Sequence, residues 1–252
     1  MSFQKTYEIV RKTIPRDTLI DSLEVAEQVE EYRRFWKPEN INVILLAESH
    51  VYTDDQDYVL ECDGSILHKV MPDYPLRFVR FVCCLGYGEN ALLKEVRTDR
   101  KNTGTPQYWK ILSSCVAENE RNLGFSNVLK TETPSLLLRL RNKVDVLKKM
   151  KARGIWLLDA SIVGLYGSGK KNLANGEKII EISWQNYIAD IVLESRPRHI
   201  IVVGKGVDRI LDSELRATGV PFSVISQPQA RGTSQWQLEN FRQYYRICAE
   251  YS

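Results

Sequence analysis

Four short runs of branched apolar residues, each closed by polar residues or glycine, most constrain how this chain can fold. They are Asn42-Val-Ile-Leu-Leu-Ala-Glu-Ser-His50, Ile155-Trp-Leu-Leu-Asp159, His199-Ile-Ile-Val-Val-Gly204 and Phe222-Ser-Val-Ile-Ser226. A continuous apolar run without alternation fits a strand covered on both faces, the pattern of a parallel sheet. Segments of helical period separate the runs. Ser22 to Trp36 carries Leu23, Val25, Ala26, Val29, Tyr32 and Trp36 on one stripe, and Pro38 ends it. Ser135 to Met150, Trp184 to Ser195 and Val207 to Ala217 repeat the pattern, and Gln235 to Glu250 forms a last, aromatic-rich helix. The alternation predicts an α/β fold of three layers, α/β/α, around a central four-stranded parallel sheet.

The 252 residues fit one domain, read as residues 1–252 with a core over 21–252 and an insert at about 51–134. Within the insert, Leu76 to Leu85 reads as either helix or strand, and Arg97 to Thr105 reads as a polar loop. The chain is 43% hydrophobic and 27% charged, a balance that excludes a disordered class. A net charge of +3 permits contact with nucleic acid without demanding it. Five cysteines at irregular spacings, with no C-x-x-C, predict buried thiols in a reducing compartment and no metal cluster. Met1 to Ile20 carries no apolar leader core, and no apolar run approaches a membrane span, so the expectation is a cytoplasmic chain with no membrane partner.

Ligands of open parallel sheets sit at the carboxyl ends of the strands. That rule selects Glu48-Ser49-His50, Asp159-Ala-Ser161, Gly204-Lys-Gly206 and Ser226-Gln227-Pro-Gln229-Ala-Arg231. Glu48 and Asp159 are carboxylates closing apolar strands, where burial is expected to raise their pKa values. Each could instead cap a helix or bond a backbone amide, a role that suits Asp better than Glu. His50 fits a base, a phosphate donor or a structural residue. The polar loop ending at Arg231, with Thr233 and Ser234, suits a phosphate backbone as well as an ordinary surface.

Two glycine motifs are less telling. Gly164-Leu-Tyr-Gly-Ser-Gly-Lys170 fits G-x-x-x-x-G-K, but Lys171 stands where Ser or Thr would hold magnesium, and a poor helix former follows. A basic loop is the simpler reading. Gly204-Lys-Gly206 lacks the third glycine of a dinucleotide fingerprint. The basic run Arg139-Leu-Arg-Asn-Lys143 and Lys148 to Arg153 reads as a solvated helix face, or with Lys170 and Lys171 as a phosphate-facing surface.

Taken in order, the strand-end segments resemble the uracil-DNA glycosylase superfamily, in its uncharacterised glycosylase-like branch. Ala47-Glu-Ser49 is similar to the Gly-Glu-Ser-Pro-type first motif, and Arg153-Gly-Ile-Trp-Leu-Leu-Asp159 to a second strand that often ends in Leu-Leu-Asn. Trp184-Gln-Asn-Tyr-Ile-Ala-Asp-Ile-Val192 is similar to the family's Trp-x-x-Phe helix, and Ser226-Gln-Pro-Gln-Ala230 falls where the family has His-Pro-Ser. The departures are equally specific. Ser49 occupies the position of the water-activating Asp of the best-known members, Asp159 that of the uracil-reading Asn, and Gln227 that of the catalytic His.

The resemblance implies a DNA base-excision N-glycosylase acting on a flipped-out base, with no cofactor and no metal. Glu48 would be the catalytic carboxylate. Ser49, His50, Tyr52, Asp159 and Gln227 would contact the base, and Lys170, Lys171, Gln229, Arg231 and Ser234 the DNA. An aromatic wall is expected from Tyr52, Tyr58 or Phe78. A catalytically silent nucleic-acid or nucleobase binder of the same fold, and a P-loop-like nucleotide enzyme, are the alternative readings.

Overall fold

A computed structural model describes residues 1–95, 101–167, 170–171, 175–227, 230 and 232–252, with backbone alone at 167, 170 and 171. The four apolar runs form the strands β1 (Val43–Ala47), β2 (Ile155–Asp159), β5 (His199–Val203) and β6 (Phe222–Ile225). All pair in parallel, in the order β2-β1-β5-β6. The short strands β3 (Tyr166–Gly167) and β4 (Lys170–Lys171) form a separate antiparallel pair.

Side chains alternate across the sheet, so two cores form. Val43, Leu45, Ile155, Leu157, Ile201 and Val203 join one; Ile44, Leu46, Trp156, Leu158, Ile200 and Val202 join the other. The first core is covered by α2 (Leu23–Phe35), α7 (Leu136–Ala152) and α11 (Ser234–Tyr251), and by the insert. The second is covered by α1 (Phe3–Thr13), by α8 (Gly176–Ser183) running through a π-helical turn at Trp184–Ile188 into α9 (Ala189–Ser195), and by α10 (Lys205–Ala217). Helix starts follow local chemistry: Ser22, Ser135 and Thr233 each accept an amide N–H of the first turn.

The insert holds the short helices α3 (Asp55–Tyr58), α4 (Gly64–Leu67) and α6 (Phe125–Val128), and the longer α5 (Pro106–Cys115). Leu76 to Leu85 is neither helix nor strand but a series of turns with one bridge, Glu61 to Arg77. Its Phe78, Val79, Phe81 and Cys84 are buried in the first core, so the insert completes that core. All five cysteines are free and buried. No described helix is long and apolar enough to cross a membrane.

The basic run on α7 is split: Arg141, Lys148, Lys149 and Lys151 are exposed, as a solvated face requires, whereas two members are not. Arg139 and Lys143 are only 2% and 4% exposed. Arg139 donates to Glu89 through Nε at 2.7 Å and Nη2 at 2.5 Å, and Lys143 Nζ donates to the same carboxylate at 2.8 Å. Lys143 also lies over the Trp109 ring at 4.9 Å. These two cations therefore anchor the insert to α7 and face no phosphate. Burial pushes Glu89 up, but the two cations outweigh it and hold the carboxyl below its usual range.

Removing Glu89 leaves two buried cations without their counter-ion. Glu89→Ala should lower stability by about 3–5 kcal/mol, whereas Asp145→Ala, which breaks an exposed α7 pair with Lys149, should cost under about 1 kcal/mol. Urea unfolding of both variants measures the contrast, and equal losses would contradict it.

Candidate functional site

The strand order reverses between β1 and β5, and their carboxyl ends mark the switch point where open parallel sheets place a ligand crevice. Glu48 follows β1 directly and is 3% exposed. Its Oε2 accepts a hydrogen bond from the Tyr166 hydroxyl and another from Gln227 Nε2 at 3.1 Å. Gln227 arrives from the end of β6, and Gly204, at the end of β5, makes room for it. Gly204 has φ of 107°, and a Cβ there would lie 2.6 Å from Gln227 Cγ. Tyr166 is held by backbone: its carbonyl accepts Tyr52 N–H at 2.8 Å, beside a bridge to Val51. Burial first, and then the Glu48 carboxylate, push the Tyr166 phenol pKa up.

Tyr108, on α5 of the insert, faces the same ground. Burial raises its pKa, and the carboxylates of Asp159 and Glu48 raise it further. Among the described residues, Tyr166 bonds Glu48 directly and Tyr108 lies within its electrostatic reach. Of the three rings expected there, Tyr58 packs under Arg77, with the guanidinium 5.4 Å from its centroid, and Phe78 packs on Tyr87 in the core. Tyr52 is half-buried and enters through its backbone N–H.

Asp159, His50 and Ser49 have other partners. Asp159 Oδ2 accepts Arg33 Nη2 at 2.6 Å and lies 3.3 Å from His50 Nδ1. His50 Nε2 lies 2.9 Å from Asp21 Oδ2. Asp21 also accepts the backbone N–H groups of Thr53, at 2.8 Å, and of Gly164. Arg33 Nη1 donates to Glu30 Oε2 at 3.2 Å, and Glu30 Oε1 accepts the Tyr187 hydroxyl at 2.6 Å. Asp21, Glu30, Arg33, His50 and Asp159 are each at most 5% exposed. Both imidazole nitrogens of His50 face carboxylate oxygens, an environment that favours the imidazolium. Ser49 Oγ donates to His50 O at 2.9 Å and accepts Leu165 N–H at 3.1 Å, tying two loops together.

The expected rise in the Asp159 pKa does not occur. Burial acts in that direction, but Arg33 and then His50 outweigh it, and the carboxyl lies below its ordinary value. Burial likewise opposes charge on His50, yet Asp21 and Asp159 raise its pKa overall.

Around the crevice, Ser234 is exposed in the first turn of α11. Lys170 and Lys171 form β4, opposite Gly167 and Tyr166 respectively. Within this segment Tyr166–Gly167 and Lys170–Lys171 are thus paired strands, so strand and not helix follows Lys170. A P-loop needs its helix directly after the lysine, so phosphate cradling by this segment lacks its geometry. Gln229 and Arg231 lie outside the described residues. Among the described residues, no group of three or more His, Cys, Asp or Glu side chains is placed to hold a metal ion.

The two shifted groups set opposite pH limits. The folded pKa of His50 is raised, so its contribution is complete below the unfolded value of about 6.5 and is lost as pH rises through the higher folded value. The folded pKa of Asp159 is depressed, so its contribution holds above about 3.9 and is lost as pH falls through the lower folded value. Urea unfolding across pH should show an alkaline decline that His50→Gln flattens while lowering stability at neutral pH. An unchanged alkaline slope in the variant would show that His50 is not the titrating group.

No family model, no curated protein and no solved structure matches this chain.

Proposed function

We propose that the chain is a uracil-DNA glycosylase-like N-glycosylase that releases a damaged base from DNA. The observation that carries this reading is the buried Glu48 carboxylate at the strand-order reversal, held by Tyr166 and Gln227. Hydrolysis of an N-glycosidic bond develops positive charge on the sugar and negative charge on the departing base. A carboxylate held in a water-poor crevice offsets the first charge and orients the water that attacks the sugar carbon. The C–N bond breaks, the water oxygen bonds to that carbon, and its proton passes to the carboxylate or the departing base. Gln227 offers both donor and acceptor to a base edge, and Tyr108 supplies an aromatic surface. Asp159 and His50 act in this scheme as positioning groups, because each is engaged within the buried ionic chain. Lys170, Lys171 and Ser234 would meet the phosphate backbone.

A second reading is a binder of the same architecture without chemistry. It is favoured by Gln227, which carries no acid–base function where the family it resembles has His.

DNAs bearing uracil, hypoxanthine, xanthine or a thymine mismatch test the two readings. Release of one base by the wild type, falling about 100-fold or more in Glu48→Gln with unfolding unchanged, supports the enzyme. Binding without release selects the binder. No release, or equal release by the variant, removes Glu48 from any catalytic role. Lys170→Ala combined with Lys171→Ala should weaken binding similarly across sequences and lower the slope of log K against log salt by roughly 1 to 2.

A further inference from the structure

Four of the five tryptophans, Trp36, Trp109, Trp156 and Trp184, are at most 5% exposed, whereas Trp236 is 39% exposed. Its position makes that exposure unusual. Trp236, Asn240 and Tyr244 lie four residues apart on α11 and share one face of the helix. Tyr244 is in the core, at 0% exposure, and Asn240 is 5% exposed. Asn240 Nδ2 donates to Ser226 O at 2.9 Å, and Ser226 precedes Gln227. The inward row of the helix thus climbs from the core to the rim of the crevice and ends in an open indole.

That indole is pinned. A Cβ on Gly232 would lie 2.4 Å from its Cε3, so the ring rests against the Gly232 backbone. The backbone N–H of Trp236 donates to the N-cap Thr233 hydroxyl at 3.2 Å, which fixes the helix start that carries the ring. A ring fixed by glycine on one side and exposed to solvent loses little freedom when a second flat ring covers it. The β3–β4 ribbon, with Lys170 and Lys171, reaches the same end of the sheet through the bond from Tyr166 to Glu48. A single-strand platform combines aromatic faces with cations along the backbone path; Trp236 supplies an exposed aromatic face.

We infer that Trp236 is a stacking platform for an unpaired base flanking the crevice, which makes single-stranded DNA the preferred form of the ligand. This rests on the nucleic-acid reading of the same site. A base in a duplex already has both faces covered by its neighbours, so only an unpaired base gains from the indole.

Oligothymidylate binding, followed by anisotropy of a labelled strand and by intrinsic tryptophan emission at low salt, tests this. Because the other four indoles are buried, quenching reports chiefly on Trp236. The expected result is saturable quenching that tracks the anisotropy, with weaker quenching by a duplex of matched length. Trp236→Ala should bind about 10-fold more weakly, and Trp236→Phe should keep most of the affinity while losing the signal. Binding with unchanged emission and unaltered affinity in Trp236→Ala overturns the platform and leaves the nucleic-acid reading standing. Equal quenching by duplex overturns the single-strand preference. Absence of any binding by the wild type overturns both.

Discussion

The guanidinium of Arg33 holds the carboxyl ends of the sheet in place. It is buried on α2, donates to Glu30 of its own helix, and reaches Asp159 at the end of β2. From Asp159 the chain of charges runs through His50, after β1, to Asp21, ahead of α2. Asp21 then gathers the backbone of Thr53 and Gly164. Each ion costs several kcal/mol to bury, and such burial is tolerable only because the signs alternate from Asp21 to Glu30. The segments that contribute are far apart in sequence, so one set of contacts fixes their relative positions together.

This arrangement separates two carboxylates that look alike in sequence. Asp159 faces a permanent cation at 2.6 Å, which depresses its pKa and makes it a poor proton acceptor. Glu48 accepts hydrogen bonds from the Tyr166 phenol and the Gln227 amide. Both follow apolar strands. What distinguishes them is the order of the sheet: β2 is at an edge, under α2, while β1 lies beside β5, where the order reverses. The ionic chain fixes the backbone from Ser49 to Thr53 and thereby the position of Glu48 next to it.

Strands β1, β2 and β5 were legible because every residue is buried and the apolar run is nearly unbroken, and the half-buried edge strand β6 was legible from its shorter branched run. The long helices were legible from their stripes, with ends within two residues for α2, α7, α10 and α11. Helix α1 went unread, although Phe3, Tyr7, Val10 and Ile14 have helical spacing, because its charged residues mask the stripe. The turn-rich insert was illegible for a different reason: its short helices lack periodicity, and its apolar residues are buried by contacts distant in sequence. At the site, Glu48 and Gln227 follow from the strand-end rule, whereas Tyr108 and Tyr166 come from the insert and the ribbon. Arg33 left a trace. Ala26, Glu30 and Arg33 are spaced by four and three, so the two charges continue a buried row. Arg139 and Lys143 left a similar one beside Leu140 and Val144.

The insert is then part of the site as well as of the core. Helix α5 brings Tyr108 to the carboxylates at one end, and at its other end the Arg153 guanidinium bridges the carbonyls of Cys115, at 3.1 Å, and Cys248 of α11, at 2.9 Å. Helix α11 returns from that clamp to the crevice, where Asn240 holds the residue ahead of Gln227. The two helices are therefore fixed at the base of the sheet and present their opposite ends to the same opening. An aromatic surface and an amide edge held this way keep their spacing without a ligand, so binding need not order the crevice. Loosening α5 at its distant end would displace Tyr108 with the helix, and loosening α11 would disturb the Asn240 bond that holds the residue ahead of Gln227.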